Sequence, residues 1–292
     1  MGRVFVVGSL HLDVVLNAPH LPRLDETLIG SGVRYVFGGK GGNQAIAAAR
    51  MGAITAMAGR IGQDAFGATL LATLEHALVD PSQIQRGQGA SGMSAAIVDA
   101  NGDYGAVVVS AANLEIEADK ISVPHGTDIL CLQNEIPEAA NLAVAQHANG
   151  ARVILNGAPA RALPDPLVAL IDILIVNRIE AEDLTGLNLP ENMARALAAR
   201  GVQTVIVTLG ADGLVLCDGA QILTMSAIPT RVVSTHGAGD MFVGALAAEL
   251  AEGADLRTAL IFAQQAASLH VGTAIDVRAG LNRRMVQDAL TG

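Results

Sequence analysis

The sequence has few aromatic residues and an excess of negative charge. Its 292 residues include five Phe, two Tyr and no Trp, and 18 Lys and Arg stand against 28 Asp and Glu, which gives a net charge of −10. Single-stranded nucleic acids are bound with aromatic rings on which bases stack, and any phosphate backbone needs a positive surface. We therefore expect no nucleic-acid partner. An anionic small substrate would need local positive groups, such as main-chain amides or a metal ion.

Cysteines and long hydrophobic runs are also scarce. The two cysteines, Cys131 and Cys217, lie inside apolar runs, which indicates buried thiols in a reducing cytoplasm rather than a disulfide framework. No run reaches the ~18 uncharged apolar residues that a membrane-spanning helix needs, and the opening MGRVFVVGSLHLD does not have the pattern of a signal peptide. The seven His have no metal-ligand spacing, and neither CxxC nor HExxH occurs, which argues against a zinc site. The sequence predicts a cytoplasmic protein without membrane contact.

Short β-branched runs alternate with Ala-rich segments along the first 210 residues. Such apolar runs are typical of strands buried on both faces of a parallel sheet, and strands alternating with helices form βαβ units. The predicted strands are residues 4–8, 54–58, 128–132, 153–155, 173–176 and 204–208, and the predicted helices between them are residues 43–51, 64–79, 137–148 and 192–200. This alternation predicts an α/β fold with helices on both sides of the sheet.

Two pairs of strand-like segments have no helix to cover them. Residues 10–17 pair with 28–37, and residues 93–98 pair with 105–110 across the hairpin sequence Asp99-Ala-Asn-Gly-Asp. We expect these strands, from about 10–17, 28–37 and 93–110, to form a small sheet that stands off the main body as a lid. After Gly237 the pattern is nearly all helical, over 238–251, 255–271 and 282–290. Because there is no internal repeat and no linker, residues 1–292 are predicted to form a single domain.

The segment Thr235-His236-Gly237-Ala238-Gly239-Asp240 places two glycines directly before an apolar helix. The N–H groups of a glycine turn and the partial positive charge of a helix start bind anions, and the same dipole favours the ionised form of Asp240. Amides that bind an anion beside a carboxylate base suit phosphoryl transfer to a hydroxyl. A glycine turn with an acidic helix start is also common as plain structure, so the pattern alone leaves both interpretations open.

Four glycines in five residues, in Gly38-Gly39-Lys40-Gly41-Gly42-Asn43-Gln44, precede another Ala-rich helix. The spacing is neither that of a P-loop nor GxGxxG. The glycines favour close approach of the main chain to a polar ligand, with Lys40 and Asn43 supplying directed hydrogen bonds. The alternative is a tight strand-to-helix turn without a ligand.

Asn177 and Glu180 follow the predicted strand 173–176 at a spacing of three. This spacing fits a helix N-cap with a capping box, which is a sufficient structural explanation. The two side chains also share one helix face, so that Glu180 could reach a Mg²⁺ ion or its water shell.

Further polar residues follow predicted strands. Asp13 and Glu135 lie beyond the carboxyl ends of two strands, where open α/β sheets bind ligands, although isolated surface carboxylates are more common. Residues 208–213, TLGADG, join two strands and are explained as a hairpin turn without any ligand.

Together, these segments resemble the ribokinase-like (PfkB) family of carbohydrate kinases, and its ribokinase branch in particular. The similarity follows the chain in order, through GGKGGNQ, SGMSAAIVDANGDY, IVNRIEAEDLTG, TLGADG and THGAGDMFVGAL. The resemblance implies a three-layer αβα sandwich with a mostly parallel central sheet and a small β-sheet lid. It also implies an ATP-dependent phosphotransferase that moves the γ-phosphate to a hydroxyl of a small sugar, a ribose-like pentose.

The resemblance further implies roles for individual residues. Asp240 would be the catalytic base, and Gly237, Ala238 and Gly239 would form the anion hole. The sugar would be held by Asp13, Gly39, Lys40 and Asn43, with Glu135 nearby. The ATP site would be lined by Asn177, Thr208, Gly210 and Gly213, and Glu180 would act on Mg²⁺ through water. The lid strands would close over the sugar and can also pair between two subunits of a homodimer.

The chain departs from the family pattern at two places. Ser234 stands where the family signature usually has an Asp that takes part in the monovalent-cation site of potassium-activated relatives, and the tail HVGTAIDVRAGL also differs. We therefore expect weak or absent potassium activation.

Several alternative functions remain at this point. One is a nucleoside kinase of the adenosine, inosine or pseudouridine type on the same fold, and others are a fructose-type or ketodeoxygluconate kinase. A non-catalytic sugar or nucleotide sensor is disfavoured by the intact Gly-Ala-Gly-Asp stretch. A dinucleotide-binding oxidoreductase is disfavoured because no strand is followed by GxGxxG.

Overall fold

The computed structural model describes residues 1–291, whose strands form two sheets. The strands are β1 Arg3–Val7, β2 His11–Asn17, β3 Gly32–Gly38, β4 Ile54–Gly62, β5 Val79–Gly87, β6 Gly92–Val98, β7 Tyr104–Val109, β8 Ile129–Gln133, β9 Arg152–Asn156, β10 Ile173–Asn177, β11 Thr204–Thr208, β12 Leu214–Asp218 and β13 Gln221–Met225. The helices are α1 Lys40–Arg50, α2 Ala65–His76, α3 Glu138–Ala145, α4 Asp165–Val168, α5 Arg178–Thr185, α6 Pro190–Ala198, α7 Ala238–Ala251, α8 Leu256–Gly272 and α9 Arg283–Thr291.

The main sheet has nine strands in the order β13-β12-β11-β10-β9-β8-β1-β4-β5. The seven strands β11-β10-β9-β8-β1-β4-β5 are parallel to one another, and only β12 and β13 are antiparallel to their neighbours. The central strands consist of Val, Ile and Leu runs that are buried on both faces, as parallel sheets require. The prediction of a mostly parallel α/β sheet is confirmed.

Two hydrophobic layers cover the faces of this sheet. One layer contains apolar residues of α1, α2, α7, α8 and α9, and the other contains those of α3, α4, α5 and α6. Each helix buries its apolar stripe against the sheet, which gives the predicted three-layer αβα arrangement. Within residues 1–291, no helix is long and apolar enough to cross a membrane.

The small sheet joins the two predicted strand pairs into one four-stranded lid, in the order β3-β2-β6-β7. Strand β2 pairs antiparallel with β3 and parallel with β6, and β7 forms a hairpin with β6. All six residues of β7 are exposed. The predicted small sheet is thus present, with the strand β7 exposed at its edge.

The element boundaries differ from the sequence-based ones in several places. The helix predicted over 64–79 ends at His76, and Val79 already begins β5, a strand that the sequence analysis did not predict. Leu78 adopts a φ of 61°, which ends the helix. The apolar pattern did not identify β5, because it is an edge strand that contains Pro81 and several polar residues instead of an apolar run. The segment predicted as a strand from residue 28 becomes one only at Gly32.

Helices α1 and α7 approach closely because small residues face each other. A Cβ at Gly244 would lie 2.5 Å from the Cβ of Ala47 and 2.6 Å from the main-chain oxygen of Gln44. At the start of α1, a Cβ at Gly41 would lie 2.7 Å from main-chain atoms of Gly8 and Ser9 at the end of β1. Because Gly244 lies about one turn after Asp240 on the same face of α7, this close packing brings α1 against that carboxylate.

Candidate active site

A cavity of about 190 Å³ opens where three parallel strands of the main sheet end against the start of α7. Asn156, Asn177 and Thr208 are the last residues of β9, β10 and β11, and all three line it. The other lining residues include Lys40, Glu180, Thr235, Gly237, Ala238, Gly239 and Asp240. Open α/β sheets bind ligands at the carboxyl ends of their strands. The structure therefore brings most of the predicted nucleotide and catalytic residues to one cavity.

The start of α7 presents unpaired N–H groups to this cavity. Gly237 is the N-cap and has a φ of 75°, a left-handed conformation that favours glycine. Within residues 1–291, no oxygen accepts a hydrogen bond from the N–H of Gly239 or Asp240. A Cβ at Gly239 would meet no atom within 4 Å, so the space beside these donors is open. The arrangement fits an anion-binding helix start.

Asp240 is 9% exposed, and two amides from α1 hold its carboxylate. Asn43 Nδ2 donates to Oδ2 at 3.1 Å, and Gln44 Nε2 donates to Oδ1 at 3.1 Å. Burial raises the pKa of Asp240, while Lys40 and the two amides oppose that rise. A carboxylate with a raised pKa is a stronger proton acceptor than an exposed one, so Asp240 is suited to act as a general base.

A chain of buried amides fixes the orientation of Gln44, a residue that the sequence analysis did not assign to the site. Gln133 Nε2 donates to Gln44 Oε1 at 2.8 Å, and Gln44 Nε2 also donates to Asn156 Oδ1 at 3.0 Å. Because the oxygen of Gln44 is already used by Gln133, its nitrogen must face Asp240. The signal for this residue was present in the sequence, since Gln44 is a polar residue that opens the apolar helix stretch AIAAA.

The glycine-rich turn is tied to Glu135. Glu135 Oε2 accepts a hydrogen bond from the N–H of Lys40 at 2.8 Å and another from the hydroxyl of Ser9. Gly39, the N-cap of α1, has a φ of 88°. Glu135 therefore braces the turn that carries Lys40 and Asn43.

Lys40 lines the cavity, and its charge opposes the rise that burial causes in the pKa values of Asp240 and Glu180. Across residues 1–291, its ammonium forms no ion pair within 4.0 Å. It is therefore free to pair with an anionic ligand.

Asp13 lies in the lid, on β2, and is absent from the cavity lining. Ser94 Oγ on the neighbouring strand donates to Asp13 Oδ1 at 2.6 Å. A Cβ at Gly38, on β3, would collide with Asp13 Oδ2, so a larger residue there would displace the carboxylate. Ser94 on β6 thus orients this carboxylate, and Gly38 on β3 leaves the space for it.

Gly210 and Gly213 shape the turn after β11 and do not line the cavity. Their φ angles are 62° and 94°, and the N–H of Leu209 donates to the oxygen of Gly213 at 2.8 Å. Thr208, at the start of this turn, is the residue that faces the cavity.

The capping box predicted from Asn177 and Glu180 is present. Asn177 Oδ1 accepts from the N–H of Glu180 at 2.9 Å, and Glu180 Oε2 accepts from the N–H of Asn177 at 2.8 Å. Burial raises the pKa of Glu180, with Asp240 among the nearby charges.

No group of three or more His, Cys, Asp or Glu side chains within residues 1–291 is placed to hold a metal. Two carboxylates line the cavity, and amides hold that of Asp240, which leaves Glu180 to act on Mg²⁺. One such carboxylate suits Mg²⁺, which keeps several waters and substrate phosphate oxygens, rather than a metal caged by protein.

Comparisons with known proteins agree with this geometry. Residues 1–275 match the pfkB family of carbohydrate kinases. The ribokinase of Haemophilus influenzae is 34% identical over 278 residues, which cover 91% of each chain. Among solved structures, the ribokinase of Thermotoga maritima has a TM-score of 0.92 at 30% identity and covers 100% of both chains. The ribokinase of Arabidopsis thaliana complexed with ribose and ATP also has a TM-score of 0.92, at 29% identity, and covers 100% of this chain and 99% of that chain.

Proposed function

Because the chain belongs to the pfkB family of carbohydrate kinases, we propose that it transfers the γ-phosphate of ATP to a hydroxyl of ribose or a closely similar pentose. The family resemblance predicted from the sequence motifs is confirmed, and the chain is an ATP-dependent sugar kinase. The observation that carries the proposed chemistry is the meeting of unpaired N–H groups with a buried, amide-held carboxylate in one cavity.

The phosphoryl group is held by main-chain donors and one ammonium. The charge of a phosphoryl group in flight spreads over its equatorial oxygens, so catalysis consists mainly of positioning and charge stabilisation. In the proposal, the N–H groups of Gly237 and Gly239 face this charge together with Lys40, while the N–H of Ala238 donates to the main-chain oxygen of Thr235 at 3.1 Å. This local positive field is needed because the chain carries a net charge of −10.

Asp240 accepts the proton of the attacking hydroxyl. Its carboxylate is aimed by Asn43 and Gln44, and its raised pKa makes proton transfer from an alcohol more favourable than it is to an exposed carboxylate. The sugar is held by Asp13 from the lid side and by Gly39, Lys40 and Asn43 from the glycine-rich turn. Glu135 acts on the sugar site by bracing that turn. Closure of the lid excludes water, which otherwise competes with the sugar hydroxyl.

The nucleotide is placed along the ends of β10 and β11. Asn177 and Thr208 line the cavity there, and Gly210 and Gly213 shape the turn beside it. Glu180 would hold Mg²⁺ through a water molecule. Bound Mg²⁺ neutralises phosphate charge during the transfer.

We also propose that two copies of the chain pair through their lids. Val107 and Tyr35 are 66% and 60% exposed, and the strand pairing places them on the same face of the lid sheet. Exposed apolar surface of this kind marks an interaction site. Light scattering of the purified protein should give the mass of a dimer, and Val107→Glu should give that of a monomer. A monomeric wild type contradicts this pairing.

The substrate is tested by a coupled assay of ADP release with Mg²⁺ over ribose, deoxyribose, fructose and nucleosides. We expect the highest kcat/KM with ribose. A higher kcat/KM with a nucleoside would favour the nucleoside-kinase alternative, and no ADP release with any acceptor would contradict a catalytic function. An Asp240→Asn variant measured in parallel separates turnover by this site from contaminating activity.

A further inference from the structure

A buried arginine lies behind the phosphate-binding end of α7. Arg278 is 7% exposed, and its guanidinium donates hydrogen bonds to three main-chain oxygens. Nη2 donates to Ser234 O at 2.6 Å, Nη1 to His236 O at 3.0 Å, and Nε to Thr273 O at 3.0 Å. These oxygens come from two segments, the loop before α7 and the end of α8. One side chain therefore joins both segments.

Main-chain carbonyls, rather than a carboxylate, satisfy this cation. Across residues 1–291, no Asp or Glu forms an ion pair with Arg278. A guanidinium remains charged at neutral pH even when burial lowers its pKa, as it does here. Clustered carbonyl oxygens are also the ligands that bind potassium ions in proteins. The carbonyl cluster thus has the chemistry of a monovalent-cation site, and a side chain of the protein fills it.

The clamped loop leads directly into the anion-binding turn. Ser234 and His236 precede Gly237, whose left-handed φ of 75° starts α7. His270, on α8, lies on the other side of this loop: its Nε2 is 2.9 Å from His236 O and 3.2 Å from Arg278 Nη1. A Cβ at Gly237 would lie 3.2 Å from the same Nε2. A shift of the loop would therefore reorient the N–H groups that face the cavity.

We propose that Arg278 serves as a built-in monovalent cation, whose guanidinium positions the loop before α7 for phosphoryl transfer and makes a dissolved potassium ion unnecessary. The proposal rests on the proposed kinase function. It supplies a structural reason for the weak potassium activation expected from Ser234, because the carbonyls that would bind an ion are already occupied. Arg278 touches neither substrate in this scheme and acts as a positioning residue.

The first test compares cations in the wild type and in Arg278→Ala. Wild-type kcat should be the same in potassium and in tetramethylammonium salts. The variant should lose about 10- to 100-fold in kcat, the usual effect of removing hydrogen bonds made by a charged group, with the KM for sugar unchanged. Added guanidinium or potassium at tens of millimolar should restore part of the loss, and tetramethylammonium should not. Arg284→Ala, at a residue whose side chain is 88% exposed on α9, is the control and should behave like the wild type.

The second test does not depend on turnover. The thermal unfolding midpoint of nucleotide-free Arg278→Ala should rise on addition of millimolar guanidinium or potassium, while that of the wild type should not. If the alanine variant does not fold, Arg278→Lys keeps a positive charge and should show the same cation dependence in weaker form. Strong potassium activation of the wild type, or a folded variant that no cation rescues in either assay, would overturn the proposal. A wild type without kinase activity would refute the proposed function, while the unfolding experiment would still test Arg278.

Discussion

Asp240→Asn should lower the activity without lowering the stability of the fold. The burial that makes the Asp240 carboxylate a stronger base also makes its charge unfavourable in the folded protein. The substitution keeps the shape of the side chain. Gln44 cannot turn its amide, since Gln133 and Asn156 hold it, so its Nε2 continues to donate to the new amide oxygen. Asn43 is only partly buried and can rotate its terminal amide to offer an oxygen to the new NH₂ group. We expect the fold and the cavity to be preserved.

The two effects have opposite signs. Loss of the general base should lower kcat by about 10²–10⁴, with little change in the KM for sugar. Hydrogen bonds to a charged group contribute about 1.5–3 kcal/mol and those between neutral groups about 0.5–1.5 kcal/mol, so weakening the bonds from Asn43 and Gln44 costs roughly 2 kcal/mol. The pKa of Asp240 is nevertheless raised above its ordinary value of 3.8, with burial as the largest cause. The free-energy cost of burying the charge of Asp240 therefore exceeds the stabilisation that these hydrogen bonds and Lys40 provide.

The raised pKa of Asp240 makes the stability of the folded protein depend on pH. Because the folded protein holds the Asp240 proton more tightly than the unfolded chain, the wild type loses stability as the pH rises from 3.8 through the raised pKa. The asparagine variant has no such loss. At pH 7.5 its unfolding midpoint should equal or exceed that of the wild type, and at pH 4 this advantage should disappear. Fluorimetric unfolding and coupled ADP release measure the two quantities. A variant that retains more than about a tenth of the activity would refute the base assignment, and one that melts well below the wild type at pH 7.5 would refute the electrostatic reasoning.

Three further predictions follow from the same contacts. Gln44→Leu should lower kcat about 10- to 100-fold, since Asp240 loses a hydrogen bond to its charge of about 1.5–3 kcal/mol. Rescue by Gln44→Glu is not expected because a second carboxylate would face the first. Gly244→Val should destabilise the fold by at least about 1–3 kcal/mol in urea unfolding, because the added carbons collide with α1, whereas Gly280→Ala has open space around its Cβ and should leave stability unchanged. As the pH decreases, kcat should fall with an apparent pKa above 3.8, because only ionised Asp240 accepts a proton. An apparent pKa of 3.8 or lower would contradict the effect of burial on Asp240.

The sequence predicted the elements of the fold that carry strong local signals. The central strands are continuous runs such as ILIVN of β10, which periodicity identifies directly. Strand β5 was missed because its sequence VDPSQIQRG carries no such run and pairs with a neighbour only along one edge. Its identity as a strand is decided by tertiary pairing with β4, which no local window contains.

The sequence identified the site residues that lie close together in short motifs. Asp240 and the glycines beside it form a compact motif, and so do Asn177 and Glu180. Gln44 and Arg278 act through partners distant in sequence: Gln44 meets Asp240 across 196 positions, and Arg278 reaches Ser234 across 44. Such pairs become visible only once the packing of α1 against α7 and the course of the chain after α8 are known.

The guanidinium behind α7 differs from a dissolved ion in one further respect. The occupancy of an ion site depends on the concentration of the ion in the surrounding solution, and each empty site leaves several oxygen dipoles facing one another. A side chain is present once per molecule at every ionic composition. The entropy lost on placing its guanidinium among the carbonyls is part of the entropy lost on folding, so no further loss accompanies binding of an ion. Turnover in this enzyme should therefore follow the supply of sugar and nucleotide and be insensitive to swings in cellular salt.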